Sequence, residues 1–409
     1  MPAEDGVKPR LLLIADPIGG GASVQFELIS SLFASLKPRY RVSVYSPYCE
    51  PDRRKRLQQM GCEIITPPSR GFRVGSLLDM LDAGNESMLW AESWLREAFL
   101  GKNAAESEKV LRDRSFDFTL NLSMTIPAPS DLWWVLGTPL DQTIAGMKES
   151  NVLALAGTLV GKGWLAHLDH RVVGRIQSQT RRVVANSPYL QQLHRERGVP
   201  VEGVIYTLTD LSDFKPIPEC RTDKYVLLYL GKETRPIAFD SLKRSGVRLV
   251  AFGSKIPVGT RLRQIRESVD YLGRVSREHL ISLYSNALFT LFPFTCEPMG
   301  LVPIESMACG TPVLTFNQQG PATTVIDGST GWLVGTPDEM VAKTKEIWKR
   351  GETGISRESC VRRAKEFTAQ RSAIELMQWI ERSAASPASN APSPESHAIG
   401  ASRGAEATA

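Results

Sequence analysis

The segment that constrains this chain most is CEPMGLVPIESMACG, residues 296–310, together with the run LFTLF at 288–292 before it, which is apolar except for Thr290. The apolar run predicts a buried strand, which must end at Pro293. Glu297 therefore falls in the loop at the carboxyl end of that strand. Seven residues separate Glu297 from Glu305, so the two carboxylates belong to one strand, loop and helix unit.

A helix is predicted to begin directly after Gly300 and to run over 301–308. Pro303 is tolerated because the first helical turn needs no amide hydrogen there, and Gly310 can close the helix in a left-handed cap. Gly300 also lets the backbone approach a ligand closely. Unpaired amides at such a helix start favour a phosphate group.

Length and composition indicate a globular protein of more than one domain. The 409 residues predict two or three domains at roughly 100 to 200 residues each. Hydrophobic residues make up 42% and charged residues 23%, which are globular values. The net charge of +5 fits an anionic substrate, an acidic membrane surface or an ordinary solvated surface, and it is too small to indicate a nucleic-acid-binding protein.

Cysteine usage and hydropathy predict a cytoplasmic protein. The six cysteines form no CxxC pair, and the short, charged N-terminus is unlike a secretory signal. The longest apolar stretch, 152–168, contains Lys162 and is predicted to be a buried core helix rather than a membrane span. An amphipathic face in contact with the inner membrane face is the alternative, because several tryptophans and arginines lie nearby: Trp133, Trp134, Trp164, Arg171, Arg175, Arg181 and Arg182.

Apolar runs alternate with helical segments along both halves of the chain, which predicts an α/β protein with two parallel sheets. In the first half, the predicted strands are 11–15, 42–46, 63–66, 116–122, 183–185 and 204–206, with a helix at 23–36. In the second half, they are 225–230, 248–252, 269–272, 288–292 and 313–316, with helices at 278–285 and 338–350. Ligands of such sheets bind at the carboxyl edge.

The chain is predicted to divide into five segments. These are a first Rossmann-like domain at 1–208, a connector at 209–223, a second Rossmann-like domain at 224–365, a helix at 366–383 and a tail at 384–409. The helix carries an apolar set that is large enough to dock onto a domain: Phe367, Ile374, Met377, Trp379 and Ile380. The tail consists mainly of Ala, Ser, Pro and Gly and is predicted to be disordered.

The segment EPMGLVPIESMACGTPV resembles the motif of family 4 of the GT-B glycosyltransferases, in which seven residues separate two glutamates. Residues 271–293 are similar to the strand, turn, helix and strand before that motif, and 320–334 to the segment that closes the donor pocket. GGGASVQFELISSLF and ANSPYLQQLHRERGVP resemble segments of the family's N-terminal domain. The resemblance covers most of 10–380. It implies a GT-B fold, in which an acceptor-side domain and a nucleotide-sugar-binding domain face a cleft and a C-terminal helix crosses back.

The resemblance assigns roles around the motif. Glu305 would bind the ribose hydroxyls of the donor, since a carboxylate accepts from two neighbouring hydroxyls. Glu297 would face the hydroxyls of the donor sugar or the charge that develops at its anomeric carbon. The amides of Met299, Gly300 and Leu301 would lie near the diphosphate.

The resemblance also implies contacts from three other loops. Lys232, directly after Gly231, would neutralise the leaving diphosphate, where the family most often has arginine, and lysine keeps the charge but loses the planar fork. Position 238, where a second basic residue is expected, is Ala238, so Arg235 is the nearest substitute. The base would contact the backbone of Gly273, Arg274 and Val275. Gly20 and Gly21 would let the N-terminal loop approach phosphate or acceptor, or would form a plain strand-to-helix turn.

The chain departs from its apparent family at a histidine. Many relatives place a histidine near the sugar in the segment that aligns with WWVLGTP, residues 133–139, where this chain has Leu136. Asp131, Thr138 or Asp141 could replace it. His167 and His170 lie at helical spacing, but two ligands make an incomplete metal site.

The expected function is that of a retaining transferase which moves a hexose from a UDP- or GDP-linked sugar to a hydroxyl of a glycan or lipid-linked acceptor. Such a reaction belongs to polysaccharide or glycoconjugate biosynthesis. The resemblance implies front-face attack assisted by the leaving phosphate, without a metal or other cofactor. The alternative is a non-catalytic GT-B protein that binds a nucleotide or a partner subunit. A dinucleotide-dependent oxidoreductase fits less well, because Val24 stands where the third fingerprint glycine should be.

Overall fold

The computed structural model describes residues 8–19, 24–67, 86–112, 114–138, 140–141, 152–217, 224–231, 234–253, 265 and 267–385. Two α/β units are built on a seven-stranded and a six-stranded parallel sheet. This arrangement confirms the two parallel sheets that the sequence predicts and the GT-B fold that the resemblance implies. None of the described helices is long and apolar enough to cross a bilayer.

The first sheet has the strand order β3-β2-β1-β4-β5-β6-β7. Its strands are β1 (Arg10–Ile14), β2 (Arg41–Tyr45), β3 (Glu63–Ile65), β4 (Phe118–Asn121), β5 (Ser130–Val135), β6 (Thr180–Ala185) and β7 (Val201–Val204). Its helices are α1 (Val24–Leu36), α2 (Pro51–Gln59), α3 (Glu86–Leu100), α4 (Lys102–Leu111), α5 (Val152–Ser178) and α6 (Pro188–Glu196). Because the strand order reverses between β1 and β4, this sheet opens a crevice at their carboxyl ends.

Two strands of the first sheet differ from the prediction. Strand β5 was not among the predicted strands, because its sequence starts with the polar pair Ser130 and Asp131. The strand predicted at 204–206 lies at Val201–Val204 instead. It is an edge strand whose short alternation, with Val201 buried and Glu202 exposed, gives a weak apolar signal.

The second sheet has the order β10-β9-β8-β11-β12-β13. Its strands are β8 (Val226–Tyr229), β9 (Leu249–Phe252), β10 (Asp270–Tyr271), β11 (Thr290–Phe292), β12 (Val313–Phe316) and β13 (Gly331–Val334). Its helices are α7 (Phe239–Arg244), α8 (Arg277–Asn286), α9 (Leu301–Ala308), α10 (Pro321–Thr324), α11 (Pro337–Arg350) and α12 (Arg357–Ala364). The central strands are buried on both faces, which explains their continuous apolar sequence.

The predicted helix at 366–383 is split by a short extended step. A 3₁₀ turn, Lys365–Phe367, is followed by Thr368 in an extended conformation, and α13 then runs over Ala369–Ala385. Phe367 packs into the core of the second unit, whereas Leu376 and Ile380 of α13 pack into the core of the first. The chain therefore crosses back between the units at Thr368.

The structure differs from the prediction at one residue of the docking set and at the start of the tail. Ile374, expected to dock, is 54% exposed, because the buried stripe of α13 runs through Ala373, Leu376 and Ile380. Helix α13 includes residues 384 and 385, and the rest of the predicted tail lies outside the described residues.

The apolar stretch at 152–168 forms part of α5, which continues to Ser178. Leu168, Val172 and Ile176 of this helix are buried in the first unit. Trp133 and Trp134 are fully buried strand residues. They therefore cannot contribute to the membrane-facing surface that was the alternative prediction. Trp164 on α5, in contrast, is 56% exposed.

Candidate functional site

The candidate site lies at the carboxyl edge of the second sheet. Strands β8, β11 and β12 are neighbours there, and each is followed by a loop that carries predicted site residues. The loop after β8 contains Gly231 and Arg235, and the loop after β11 contains Glu297. The loop after β12 contributes residues 317–320, of which only Gly320 belongs to the segment at 320–334 that the resemblance places at the donor pocket.

Glu297 folds back onto the start of α9. Its Oε1 accepts hydrogen bonds from the amides of Met299, at 3.1 Å, and Gly300, at 2.9 Å. Gly300 has a φ of 92°, a left-handed conformation that turns the chain into the helix, where Leu301 is the first residue. Two of the amides expected to face a diphosphate therefore donate to Glu297 in this structure, and their bonds fix its carboxylate at the positive end of α9.

Gln319 fixes the Glu297 loop from the side of β12. Its Oε1 accepts from the amide of Glu297 at 2.6 Å, and its Nε2 donates to the carbonyl of Thr295 at 3.3 Å. Its φ of 53° is the only positive value at a non-glycine position among the residues that the structure describes. No motif in the sequence identified Gln319, because the signal is a backbone conformation and a contact 22 residues away.

Gly320 allows the two loops to touch. Its amide donates to the carbonyl of Glu297 at 3.0 Å, and a Cβ at this position would lie 2.3 Å from the backbone of Pro298 and Met299. Only a residue without a side chain permits this distance. The loop at 295–300 is thus held on one side by Gln319 and Gly320.

Glu305 lies one turn further along α9, partly accessible, next to the fully buried Tyr284 of α8. The Tyr284 hydroxyl donates to Glu305 Oε2 at 3.0 Å. Burial raises the pKa of Glu305 to about 7, while the bond from Tyr284 and the positive charge of Arg277 oppose that rise. Burial keeps the pKa of Tyr284 well above its usual value, so this residue remains a donor.

Arg235 brings a positive charge to the same edge. Its amide donates to the carbonyl of Pro293 at 3.1 Å, and its guanidinium lies 5.1 Å from the ring centre of Phe316, the last residue of β12. Thr234 Oγ1 accepts from the amide of Gly231 at 2.8 Å and so closes the turn after β8. Lys232 lies outside the described residues.

The predicted base-binding segment follows β10. Gly273 has a φ of 70°, and its carbonyl accepts from the amide of Gly253 at 3.0 Å. Arg274 is exposed, and Val275 packs partly buried against the core of the second unit. This segment lies at the same sheet edge as Glu297, on the side of β9.

Ser187 and Thr138 of the first unit both contact the Glu297 loop. Ser187, at the start of α6, donates from its hydroxyl to the carbonyl of Pro298 at 2.7 Å. Thr138, after β5, has its Oγ1 3.9 Å from the Sγ of Cys296. No sequence motif assigned a role to Ser187 or Cys296.

The three residues that could replace the missing histidine lie in different places in the structure. Thr138 faces the second unit, whereas Asp131 lies at the opposite end of β5, where it pairs with Arg181 at 3.0 Å. Asp141 pairs with Arg197 at 2.8 Å. Among the three, Thr138 is the one that the fold brings to the Glu297 loop, and Leu136 packs partly buried against the core of the first unit.

His194 is the histidine that the fold places beside the 133–138 segment. Its ring lies 6.1 Å from that of Trp133, and it is 1% exposed. Burial, with Arg197 nearby, lowers the pKa of His194 to about 4, so it is neutral and internal rather than open to a sugar. His167 and His170 are exposed on α5, and no group of three metal-ligating side chains occurs within the described part of the chain.

A buried carboxylate lies at the carboxyl edge of the first sheet. Asp16, after β1, accepts from the amide of Met124 at 2.9 Å, from the hydroxyl of Thr125 at 2.5 Å and from the hydroxyl of Ser123. Burial raises the pKa of Asp16, which these donors oppose. Asp16 ties the loops after β1 and β4 together at the crevice, while Gly20 and Gly21 lie outside the described residues.

Comparisons with known proteins agree with this geometry. Residues 238–367 match the sequence profile of the family described as glycosyl transferases group 1. The D-inositol 3-phosphate glycosyltransferase of Mycolicibacterium smegmatis is 31% identical over 157 residues, which cover 34% of this chain and 36% of that protein. The matches thus span well under two thirds of such relatives.

Solved structures share the whole fold at low identity. Sucrose-phosphate synthase from Thermosynechococcus elongatus superimposes with a TM-score of 0.63 at 17% identity, covering 91% of this chain and 98% of that one. Anabaena HepE, solved with UDP, superimposes with a TM-score of 0.60 at 16% identity, covering 91% of this chain and all of that one. These similarities show the GT-B fold.

Proposed function

Since residues 238–367 match the sequence profile of the glycosyl transferases group 1 family, we propose that the protein is a retaining glycosyltransferase. It moves a hexose from a UDP- or GDP-linked sugar to a hydroxyl of a glycan or lipid-linked acceptor. The observation that carries the proposal is the pair of glutamates around the start of α9, with Glu305 held by Tyr284 and Glu297 held by two amides. The Anabaena neighbour, solved with UDP and with UDP-glucose, supports a uridine donor.

Donor binding would begin with Glu305. A carboxylate can accept from two neighbouring hydroxyls at once, and the ribose of a nucleotide offers such a pair. The Tyr284 hydroxyl occupies Oε2 from the protein side and sets the orientation of the carboxylate. The loop of Gly273, Arg274 and Val275 would contact the base through its backbone.

The diphosphate would lie between α9 and the loop after β8. The Glu297 carboxylate already accepts from two amides at the start of α9, so Arg235 supplies the main positive charge at this sheet edge. As the glycosidic bond loosens, negative charge grows on the departing diphosphate, and fixed positive groups stabilise it. Lys232 would add a second charge, and so transfer would need no metal ion.

Glu297 would contact the donor sugar. Its two amide bonds hold the carboxylate in one orientation, and Gln319 holds the backbone beneath it. A carboxylate that is fixed before the donor arrives loses no further freedom when the sugar binds. The acceptor would enter from the crevice of the first sheet, above Asp16.

Replacing Arg235 with Ala is expected to lower kcat by about 10- to 100-fold, because a fixed charge on the leaving group stabilises the transition state by about 1.4 to 2.7 kcal/mol. Release of UDP or GDP from each nucleotide sugar, with and without EDTA, measures the effect. Arg244→Ala is the matched control, since Arg244 is an exposed arginine that pairs with Asp240 one helical turn away.

Three outcomes decide between the candidate functions. Transfer that persists in EDTA and falls in Arg235→Ala supports the proposal. Nucleotide binding, seen as a rise in melting temperature, without transfer to any acceptor would indicate the non-catalytic alternative. Equal activity of the Arg235 and Arg244 variants would remove Arg235 from the site.

We further propose that the acceptor is presented at an anionic membrane surface. The exposed face of α3 and α5 carries four large apolar side chains, with the rings of Phe99 and Trp164 5.4 Å apart: Leu95, Phe99, Leu100 and Trp164. Exposed Lys102 begins α4, two residues after the end of α3, and exposed Arg171 lies on α5. Apolar side chains rimmed by positive charge are typical of surfaces that insert into the headgroup region. We call these four apolar residues the α3–α5 patch.

The double variant Phe99→Ser/Trp164→Ser is expected to lose most binding to vesicles of anionic phospholipid, while activity on a water-soluble acceptor stays unchanged. Sedimentation with vesicles at low and high salt measures this, because the electrostatic part weakens with ionic strength. Ile374→Ser is the control, as Ile374 is an equally exposed apolar residue on α13. Wild-type protein that stays in the supernatant with anionic vesicles would contradict the membrane proposal.

A further inference from the structure

The hydroxyl of Ser187 makes two hydrogen bonds that belong to different units of the protein. As the N-cap of α6, its oxygen accepts from the amide of Leu190 at 3.2 Å. Because that bond uses a lone pair, the hydroxyl proton is available, and it is donated to the carbonyl of Pro298 at 2.7 Å. Ser187 is fully buried, so water does not compete for this proton.

Pro298 follows Glu297 in the loop at 295–300, which we call the donor loop. Gln319 and Gly320 hold this loop from within the second unit, as described above. The bond from Ser187 reaches the same loop from the first unit. A change in the distance between the units would therefore break the Ser187 bond and leave the Gln319 and Gly320 bonds intact.

The two points at which Thr138 and Ser187 of the first unit contact the loop are tied to each other by a hydrogen bond. Asn186 Nδ2 donates to the carbonyl of Leu136 at 3.0 Å, which ties the end of β6 to the end of β5. Thr138 follows β5 and approaches Cys296, while Ser187 follows β6 and bonds to Pro298. The ends of β5 and β6 thus form one rigid contact with the loop at 296–298.

We propose that Ser187 is a positioning residue that latches the donor loop when the two units close. The hydroxyl bonds to Pro298 only in the closed arrangement, and it fixes the backbone next to Glu297 from the acceptor side. Closure of the two units would therefore fix the conformation of the donor loop next to Glu297. The statement that the units close around a nucleotide sugar rests on the proposed function. The latch itself rests on the contacts of Ser187 with Pro298 and of Thr138 with Cys296.

The test removes the hydroxyl with little effect on the helix cap. Ser187→Gly deletes the donor, and glycine is nearly as good as serine at an N-cap position. Ser187→Thr restores a hydroxyl. Ser356→Gly is the matched control, because Ser356 caps α12 through the same 3.2 Å bond, to the amide of Ser359, on an exposed surface.

Small-angle scattering of the free protein and calorimetric binding of UDP are the two readouts. Ser187→Gly is expected to raise the radius of gyration and to weaken UDP binding by about 3- to 10-fold, the effect of one neutral hydrogen bond. Ser187→Thr should recover both, and Ser356→Gly should change neither. If Ser187→Thr does not fold, the comparison of the two glycine variants decides.

The results separate a failed latch from a failed function. Unchanged scattering and UDP affinity in Ser187→Gly would overturn the latch, as would equal changes in Ser187→Gly and Ser356→Gly. If wild-type protein binds neither UDP nor GDP, the proposed function fails. Scattering of the free protein still tests the latch in that case.

Discussion

Replacing Glu305 with Gln is expected to weaken UDP binding at pH 8 by about 10- to 100-fold, because hydrogen bonds to a charged acceptor contribute about 1.5 to 3 kcal/mol. Gln keeps the length of the side chain and one acceptor oxygen, so the change removes mainly the charge. Isothermal calorimetry with UDP measures the affinity. Undiminished binding would show that Glu305 does not hold the ribose.

The same carboxylate should make donor binding depend on pH. The pKa of Glu305 is raised to about 7, so it is largely protonated at pH 6 and ionised at pH 8. If only the ionised form accepts both hydroxyls, UDP should bind about tenfold more tightly at pH 8 than at pH 6. The ionisation of the UDP phosphate affects binding to wild type and to Glu305→Gln equally. The ratio of the two affinities at each pH therefore reports the ionisation of Glu305 alone. A ratio that does not vary between pH 6 and pH 8 would contradict this assignment.

The free energy of unfolding should depend on pH in the opposite direction to UDP binding. A partly buried carboxyl whose pKa rises from 4.5 to about 7 on folding binds a proton more tightly in the folded state. The free energy of unfolding therefore falls as pH rises from about 4.5 to about 7 and then levels off. Glu305→Gln should lose this contribution, so its melting temperature relative to wild type should be higher at pH 8 than at pH 5.

The segment around the motif could be predicted from sequence because local rules determine it. The helix expected at 301–308 is Leu301–Ala308, and the strand expected at 313–316 is Val313–Phe316. Gly310 has a φ of 79°, as its predicted role in a left-handed cap requires. Here apolar runs, proline and glycine agree with the tertiary structure, so local propensity and packing favour the same conformation.

The contacts that shape the site could not be predicted, because they join residues that are distant in sequence. Tyr284 bonds to Glu305 across 21 residues, and Ser187 bonds to Pro298 across 111. Gln319 shows no local signal for a positive φ, since glutamine rarely adopts it. A motif thus identified which loop holds the carboxylates, but only the fold shows what orients them.

Gly320→Ala is expected to destabilise the protein by about 1 to 3 kcal/mol, the usual range for an overpacked site. Its φ of −58° suits any residue, so the effect is purely steric. The added Cβ would lie 2.3 Å from the backbone of Pro298 and Met299, and it would push the Glu297 loop away from its bond to the Gly320 amide. Thermal melting should show a lower midpoint, and sugar transfer should fall further than UDP binding because the sugar-side loop moves. Gly335→Ala is the matched control, because its Cβ would meet only the end of the Glu339 side chain, at 3.5 Å. If both variants melt and react like wild type, the contact between the loops after β11 and β12 does not hold Glu297 in place.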